Sequence, residues 1–111
     1  MCFPNITDVA IFYLLFQQLE SPNVEVHCLH GYSVDTPAAF VFSSSTWYSH
    51  QPKVVTGDGD GTVNLRSLVG CLKWAGKQTQ QVFHQTFEKA EHLSLLRNIG
   101  VQEYIAKVLS A

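Results

Sequence analysis

Two segments of the sequence carry side chains at a spacing that could support acid–base chemistry. The first is the glycine-rich run GDGDGTVN, residues 57–64, which holds Asp58 and Asp60 directly after a short apolar stretch. The second is His92, which lies 32 residues beyond Asp60 (92 − 60). A carboxylate followed by a histidine is the order found in catalytic triads that run serine, acid, histidine along the chain. There the acid holds the imidazole tautomer, while the imidazole takes and returns the nucleophile's proton.

The glycine-rich run also has three other interpretations. It could be a turn in which both aspartates cap backbone N–H groups. A calcium loop would take its ligands from Asp58, Asp60 and Thr62, but it needs Gly at position six and Glu at position twelve. This sequence has Val63 and Val69 there. A dinucleotide loop needs G-x-G-x-x-G, and the run is spaced G-x-G-x-G. The simple turn and the triad acid therefore both stay open.

A nucleophilic serine is harder to place. The pentapeptide G-x-S-x-G, which presents such a serine, does not occur in the printed sequence. The nearest match is GYSVD, where Ser33 precedes the acid and the histidine but Asp35 replaces the final glycine. That tight strand-to-helix turn leaves little room for a branched acidic side chain. Ser33 is therefore expected to make loop hydrogen bonds.

The histidines and cysteines do not predict a metal site. His27, Cys28 and His30 are chemically suitable ligands. In a strand, however, residues 27 and 28 point to opposite faces and cannot converge on one ion without a bulge. No C-x-x-C pair occurs, so neither a metal nor another cofactor is expected.

The elements that must position these residues alternate between strands and helices. Period-2 alternation and short apolar runs predict strands over residues 24–29, 38–43, 53–56 and 81–87. Helical spacing predicts helices over residues 8–20, 63–75, 93–98 and 101–109, with the last break at Gly100. This order predicts an α/β layered fold. A single crossover would separate Asp60 from His92 and return the chain to a strand next to the one at residues 53–56, so both loops should meet at one sheet edge.

Between the two aspartates, Asp60 is the predicted partner of His92. Asp58 lies nearer the strand end, where it could cap the turn by accepting backbone N–H groups. Asp60 is followed by Gly61 and the start of a helix, which places it further out over the edge. A carboxylate oxygen of Asp60 is expected within about 2.6–3.2 Å of a His92 ring nitrogen.

The composition excludes several classes of function. Of 111 residues, 46% are apolar and 14% charged, and the net charge is −2. This balance is typical of one small globular domain, and it lacks the basic patch that nucleic-acid binding requires. The longest apolar run, residues 9–16, is too short for a spanning helix, which needs about 20 residues. No basic region precedes that run, so no signal peptide is expected in the printed sequence.

Three sequence blocks carry a family resemblance. They are VHCLHGYSVDTPAAFVF, VVTGDGDGTVNLRSLVGCLKW and AEHLSLL, in this order. Together they resemble the C-terminal part of the lysosomal phospholipase A2 and lecithin–cholesterol acyltransferase family. The resemblance implies the C-terminal portion of an α/β-hydrolase fold over residues 23–111, with a few strands and flanking helices. Residues 1–22 match poorly and are predicted to hold a helix.

The resemblance implies an activity and its residues. Such an enzyme uses a serine-dependent triad and no metal to cleave an acyl ester of a glycerophospholipid, or to transfer the acyl group to an alcohol. The family's acid falls on Asp60, its histidine on His92, and a family disulfide on Cys28 and Cys71. The family's serine lies upstream, so this chain is expected to be the Asp–His half, inactive alone. The alternative is a non-catalytic remnant that binds lipid or a partner.

The resemblance also implies a setting. Members act in the lysosome or outside the cell, in peripheral contact with a membrane surface. The sequon at Asn5 is a candidate glycosylation site. Asp35-Thr36-Pro37 stands where the family has Pro-Thr-Pro, so the shape of this loop is expected to differ.

Overall fold

The computed structural model describes residues 20–43 and 51–111. The predicted helix over residues 8–20, apart from its last residue, lies outside these ranges, as does the sequon at Asn5. Within the described ranges, no helix has the length and apolar character needed to cross a membrane.

Within the two described ranges, four strands form two separate pairs. β1 (Val26–Tyr32) pairs in parallel with β4 (Val82–Glu88), in the register Val26 to Val82 through Tyr32 to Glu88. β2 (Thr36–Val41) and β3 (Lys53–Gly57) pair antiparallel. Each strand overlaps a predicted one, and the mixture of strands and helices agrees with the expected α/β character.

The prediction of which strand lies beside β4, the strand that precedes His92, was wrong. The crossover argument placed β4 beside β3, but β4 pairs with β1. β3 is the returning arm of a hairpin with β2, so the strand from which the parallel crossover starts is β1. The β2–β3 hairpin is an insertion within the connection from β1 to β4. It returns the chain to the end of β1, where the isolated parallel bridge between Val34 and Asp60 forms.

The helices differ in detail from the predicted ones. The helix predicted over residues 63–75 is a four-residue α1 (Leu65–Leu68) followed by a 3-10 helix (Val69–Trp74). The change occurs at Val69 and Gly70, two residue types of low helix propensity. A turn follows, and Gly76 has a φ of 81°, the left-handed backbone expected after a helix.

The break in the C-terminal helical region lies at Asn98, so the prediction of Gly100 was wrong. A second 3-10 helix (His92–Arg97) ends there, and α2 (Ile99–Leu109) begins. The Asn98 side chain accepts a hydrogen bond from the backbone N–H of Val101 at 3.2 Å, which is how an N-cap starts a helix. Gly100 lies inside the first turn, where a Cβ would come within 3.2 Å of the Phe87 ring.

The β1–β4 pair is covered on both faces, since successive residues of β1 point in opposite directions. On one face Cys28 is joined by a disulfide to Cys71 of the first 3-10 helix, with Cα atoms 6.5 Å apart. On the other face His27 stacks on Phe83, with ring centroids 4.7 Å apart, and its Nδ1 lies 2.9 Å from the hydroxyl of Tyr104 in α2.

Much apolar surface remains exposed. Among the described residues, only Ala90 and Val101 are apolar and fully buried. Large apolar side chains are exposed on the hairpin and on the C-terminal helices: Phe40, Val41, Phe42, Val54, Val55, Leu93, Leu96, Ile99 and Leu109. Two-stranded sheets are marginal on their own, and this much exposed apolar surface is typical of a region that packs against something else.

Candidate active site

The loop after β3 holds Asp60 against the end of β1. The backbone N–H of Val34 donates to the carbonyl of Gly59 at 3.1 Å, and Val34 forms a parallel bridge with Asp60. The N–H of Asp60 donates to the carbonyl of Val63 at 3.2 Å, which closes the turn. Asp60 is only 1% exposed, so its carboxylate has a fixed position.

Glycine is needed inside this loop for space. A Cβ at Gly59 would lie 2.3 Å from the carbonyl oxygen of Val63 and 2.5 Å from the Thr36 hydroxyl. Gly61 has a φ of 90°, a conformation that residues with a side chain rarely adopt. The alternating glycines therefore let the loop fold tightly enough to turn the Asp60 carboxylate inward.

Asp58 accepts a backbone N–H group, but from a different turn than the one it was predicted to cap. Its Oδ1 accepts a hydrogen bond from the backbone N–H of Ser33 at 2.7 Å. This contact ties the glycine-rich loop to the turn after β1. The glycine-rich turn itself is capped by Asp60, which is also the aspartate directed toward His92.

His92 reaches the same place from β4. The backbone N–H of Lys89 donates to the carbonyl of Tyr32 at 2.7 Å, and Ala90 packs so closely on Gly31 that a Cβ at Gly31 could not fit. The N–H of His92 then donates to the carbonyl of Asp60 at 2.9 Å. The His92 backbone is therefore fixed to the residue that its side chain contacts.

The Asp60 carboxylate and the His92 imidazole form a hydrogen-bonded pair. Oδ2 of Asp60 lies 2.8 Å from Nδ1 of His92, within the distance expected from the sequence. The other oxygen, Oδ1, accepts the backbone N–H groups of Val63 at 2.8 Å and Thr62 at 3.1 Å. A carboxylate only accepts, so Nδ1 carries the proton and Nε2 is left as the basic nitrogen. The His92 side chain is 44% exposed, so the imidazole is accessible from solvent.

The environment keeps Asp60 ionised. Desolvation by burial would raise its pKa, but the N–H of Val63, the His92 side chain and the N–H of Thr62 all stabilise the charged form. Together they lower the pKa of the Asp60 carboxyl below its ordinary value. The pair can therefore hold an imidazolium next to a carboxylate, which is what a general base needs after it has taken a proton.

A cleft of about 280 Å³ opens in front of the pair. Val34 and Leu93 form its apolar walls, while Thr62 and Glu91 contribute polar groups. Ser33 does not line this cleft, and its N–H is engaged by Asp58. Within residues 20–43 and 51–111, no three His, Cys, Asp or Glu side chains are grouped so that they could hold a metal ion.

Sequence reasoning missed Thr36, which is fully buried and braces the loop. Its hydroxyl donates to the carbonyl of Val34 at 2.8 Å and accepts the N–H of Gly61 at 2.9 Å. It thus couples the turn after β1 to the residue that follows Asp60. The available signal was the Asp-Thr-Pro segment, because these are turn residues and a threonine hydroxyl in a turn can hydrogen-bond to nearby backbone.

Sequence reasoning also missed a histidine pair. Nδ1 of His30, which is 3% exposed, donates to the carbonyl of Gly31 at 2.7 Å, so its Nε2 accepts from His84 Nε2 at 2.7 Å. Burial and the neighbouring His30 lower the pKa of His84. No spacing rule predicts this contact, because His30 and His84 belong to strands far apart in sequence.

Comparison with known proteins adds the family context. The family model described as Lecithin:cholesterol acyltransferase matches residues 8–99. The chain is 40% identical over 95 residues to the "Lysosomal phospholipase A and acyltransferase" of Canis lupus familiaris, covering 86% of this chain and 23% of that protein. It is 41% identical over 88 residues to the Homo sapiens protein of the same name, covering 79% and 21%.

A second group of relatives is less similar. The chain is 32% identical over 95 residues to the "Phosphatidylcholine-sterol acyltransferase" of Mus musculus, covering 86% of this chain and 22% of that protein. In each of these comparisons the chain spans less than a quarter of the relative's length.

Proposed function

The chain belongs to the lecithin:cholesterol acyltransferase family, and we propose that it is the Asp–His half of a serine-dependent phospholipase A2 and O-acyltransferase. The observation that carries this proposal is the 2.8 Å contact between Asp60 Oδ2 and His92 Nδ1, made by a buried carboxylate and an accessible imidazole. The nucleophilic serine would be supplied by polypeptide outside the printed sequence.

In the proposed reaction, His92 is the general base and Asp60 is the positioning acid. Nε2 of His92 takes the proton of the serine hydroxyl as it attacks the acyl carbonyl, and Asp60 stabilises the imidazolium that forms. The same nitrogen then gives the proton to the leaving glycerol oxygen. In the second half-reaction, water or an alcohol attacks the acyl-enzyme, and His92 again transfers the proton.

The proposed substrate is a glycerophospholipid acyl ester, with water or an alcohol as acyl acceptor. The names of the relatives, a phospholipase A and acyltransferase and a phosphatidylcholine-sterol acyltransferase, support this class. The apolar wall at Leu93, which is 93% exposed beside His92, is suited to an acyl chain or a membrane surface. We therefore include peripheral membrane contact in the proposal.

We also propose a lysosomal or extracellular location. The Cys28–Cys71 disulfide supports an oxidising compartment, because disulfides persist there and are rare in the cytosol. The name of the relatives at about 40% identity includes the word lysosomal.

The second candidate is a non-catalytic remnant that binds lipid or a partner. The exposed apolar side chains of the hairpin favour it, because such a surface can bind without any chemistry. Both candidates predict that the 111-residue chain alone is inactive, so activity of the isolated chain does not distinguish them.

A chimera separates the two candidates. We would replace the 95-residue matching segment of the canine relative with the corresponding residues of this chain and assay phosphatidylcholine hydrolysis in vesicles. Our proposal predicts measurable turnover that His92→Ala abolishes, while His27→Ala, which changes a β1 histidine that does not line the cleft, leaves turnover within a few fold. A folded, inactive chimera, or one that His92→Ala does not affect, would favour the remnant.

A further inference from the structure

Beside the cleft of His92 lies a second, wider cleft that the acid–base chemistry does not use. It has a volume of about 490 Å³ and is lined by Ser33, Val34, Asp35, Lys89 and Glu91. Val34 and Glu91 also line the cleft of the Asp60–His92 pair, so the two clefts share a wall. A ligand that fills both would have one end at the imidazole and the other among charged side chains.

The second cleft carries charges of both signs. Asp35 and Glu91 contribute two carboxylates and Lys89 contributes one ammonium group. Among the described residues, the ion pairs are His27 with Glu25 and His92 with Asp60, so none of these three charges is neutralised by a described partner. One cation beside two anions is complementary to a ligand that carries both charges, and it disfavours a ligand that is purely anionic.

The backbone at Lys89 has an unusual conformation. Its φ is 56°, in the left-handed region that glycine adopts easily and lysine rarely does. The hydrogen bond from its N–H to the carbonyl of Tyr32 and the close packing of Ala90 on Gly31 hold it there. A strained residue next to a reaction site is a reason to look for a function of its side chain.

On the premise of the proposed function, we propose that this second cleft binds the zwitterionic head group of the glycerophospholipid. Lys89 contacts the phosphodiester, for which its ammonium is a suitable point charge. Asp35 and Glu91 contact the head group's ammonium or trimethylammonium. Since Glu91 and Val34 belong to both clefts, this arrangement directs the glycerol ester toward His92. Asp35 is also the position where the sequence departs from the Pro-Thr-Pro of the family it resembles.

The test uses water-soluble head groups and the 111-residue chain, so it requires no catalysis. Isotope-labelled chain is titrated with glycerophosphocholine, and with glycerol 3-phosphate and choline chloride at matched ionic strength. We expect saturable shifts of the Val34, Lys89 and Glu91 amide signals with glycerophosphocholine, and at least about fivefold weaker binding of either probe that carries charge of only one sign. An equal response to glycerol 3-phosphate, or no saturable shift at these residues, overturns the proposal.

Two substitutions separate binding from folding. Lys89→Gly removes the charge and relieves the left-handed backbone, so it should raise the melting temperature while weakening glycerophosphocholine binding at least about fivefold. Lys89→Arg should retain binding, and Lys77→Gln, which removes a lysine outside the cleft, should change nothing. If Lys89→Gly binds as well as the unmodified chain, Lys89 does not contact the head group. The chimera can fail while this titration succeeds, so the two proposals are tested independently.

Discussion

Replacing Asp60 by asparagine should disable His92 without unfolding the loop. The amide oxygen of asparagine can still accept the N–H groups of Val63 and Thr62, as Oδ1 of Asp60 does at 2.8 and 3.1 Å. The amide NH₂ then faces Nδ1 of His92, where Oδ2 had been at 2.8 Å. Two donors cannot share that contact, so Nδ1 must become the acceptor and the proton must move to Nε2.

This change of tautomer places the proton on the nitrogen that should act as the base. Turnover of the chimera should therefore fall about 10⁴-fold, which is the loss that the wrong histidine tautomer causes in a serine protease. The effect on folding is smaller. Hydrogen bonds to a charged acceptor are replaced by neutral ones at a site that is 1% exposed, which should lower the free energy of unfolding by about 1–2 kcal/mol at neutral pH.

The stability loss should also depend on pH with a defined sign. The folded-state pKa of Asp60 lies below the ordinary value of 3.8, so the carboxylate stabilises the fold above about 3.8. That stabilisation disappears as the pH falls through the lowered pKa, where Asp60→Asn and the unmodified chain should converge. Parallel curves that never converge would refute the assignment of the lowered pKa to this contact.

Nitrogen-15 NMR of the imidazole rings distinguishes the two tautomers of His92 directly. In the unmodified chain His92 should show a protonated Nδ1 and a basic Nε2, and Asp60→Asn should reverse them. Asp58→Asn is the matched control, because Asp58 accepts from Ser33 and should leave the His92 tautomer unchanged. If Asp58→Asn reverses the tautomer and Asp60→Asn does not, the reasoning is wrong.

Three further predictions concern the isolated chain. It should not hydrolyse a p-nitrophenyl ester, and any turnover that Ser33→Ala removes would contradict our view of Ser33. Cys71→Ala should lower the free energy of unfolding by about 3–4 kcal/mol in denaturant titrations, because it removes a disulfide that spans 43 residues. Cys2 is predicted to be unpaired, so Cys2→Ala should leave the free energy of unfolding unchanged. Acidification should lower the melting temperature as the pH falls below about 6.5 toward the lowered pKa of His84, because the unfolded chain then binds the additional proton. His84→Gln should flatten that slope, and an unchanged slope would show that His84 does not cause it.

The local motifs predicted the acid–histidine contact even though the predicted route to it was wrong. Alternating glycines restrict what a loop can do, and the order of acid and histidine limits which residues can meet. The pairing of β1 with β4 was beyond such reasoning, because period-2 alternation identifies a strand but not its partner. β3 is closer than β1 to β4 in sequence, but it pairs with β2 in the hairpin and β4 pairs with β1.

Details that depend on tertiary contacts were also not predictable. The 3-10 geometry of residues 69–74 and 92–97 differs from an α-helix by a single hydrogen-bond step, which hydrophobic spacing over six residues does not resolve. The hydrogen bonds of the Thr36 hydroxyl and the left-handed backbone at Lys89 both involve contacts between segments that are far apart in sequence. Neither leaves a periodic signal in the sequence.

The position of the Cys28–Cys71 bridge has a consequence for the order of folding. In the reduced chain, pairing Val26 with Val82 closes a loop of 56 residues (82 − 26). Once the bridge exists, the connecting path is 13 residues, two before Cys28 and 11 after Cys71. Loop-closure entropy then falls by about 1.3 kcal/mol, which corresponds to roughly tenfold in the rate of a step limited by that closure. Oxidation of the two cysteines thus makes the pairing of β1 with β4 nearly local in sequence. Where that loop closure limits folding, an oxidising compartment therefore also speeds the step that brings His92 to Asp60.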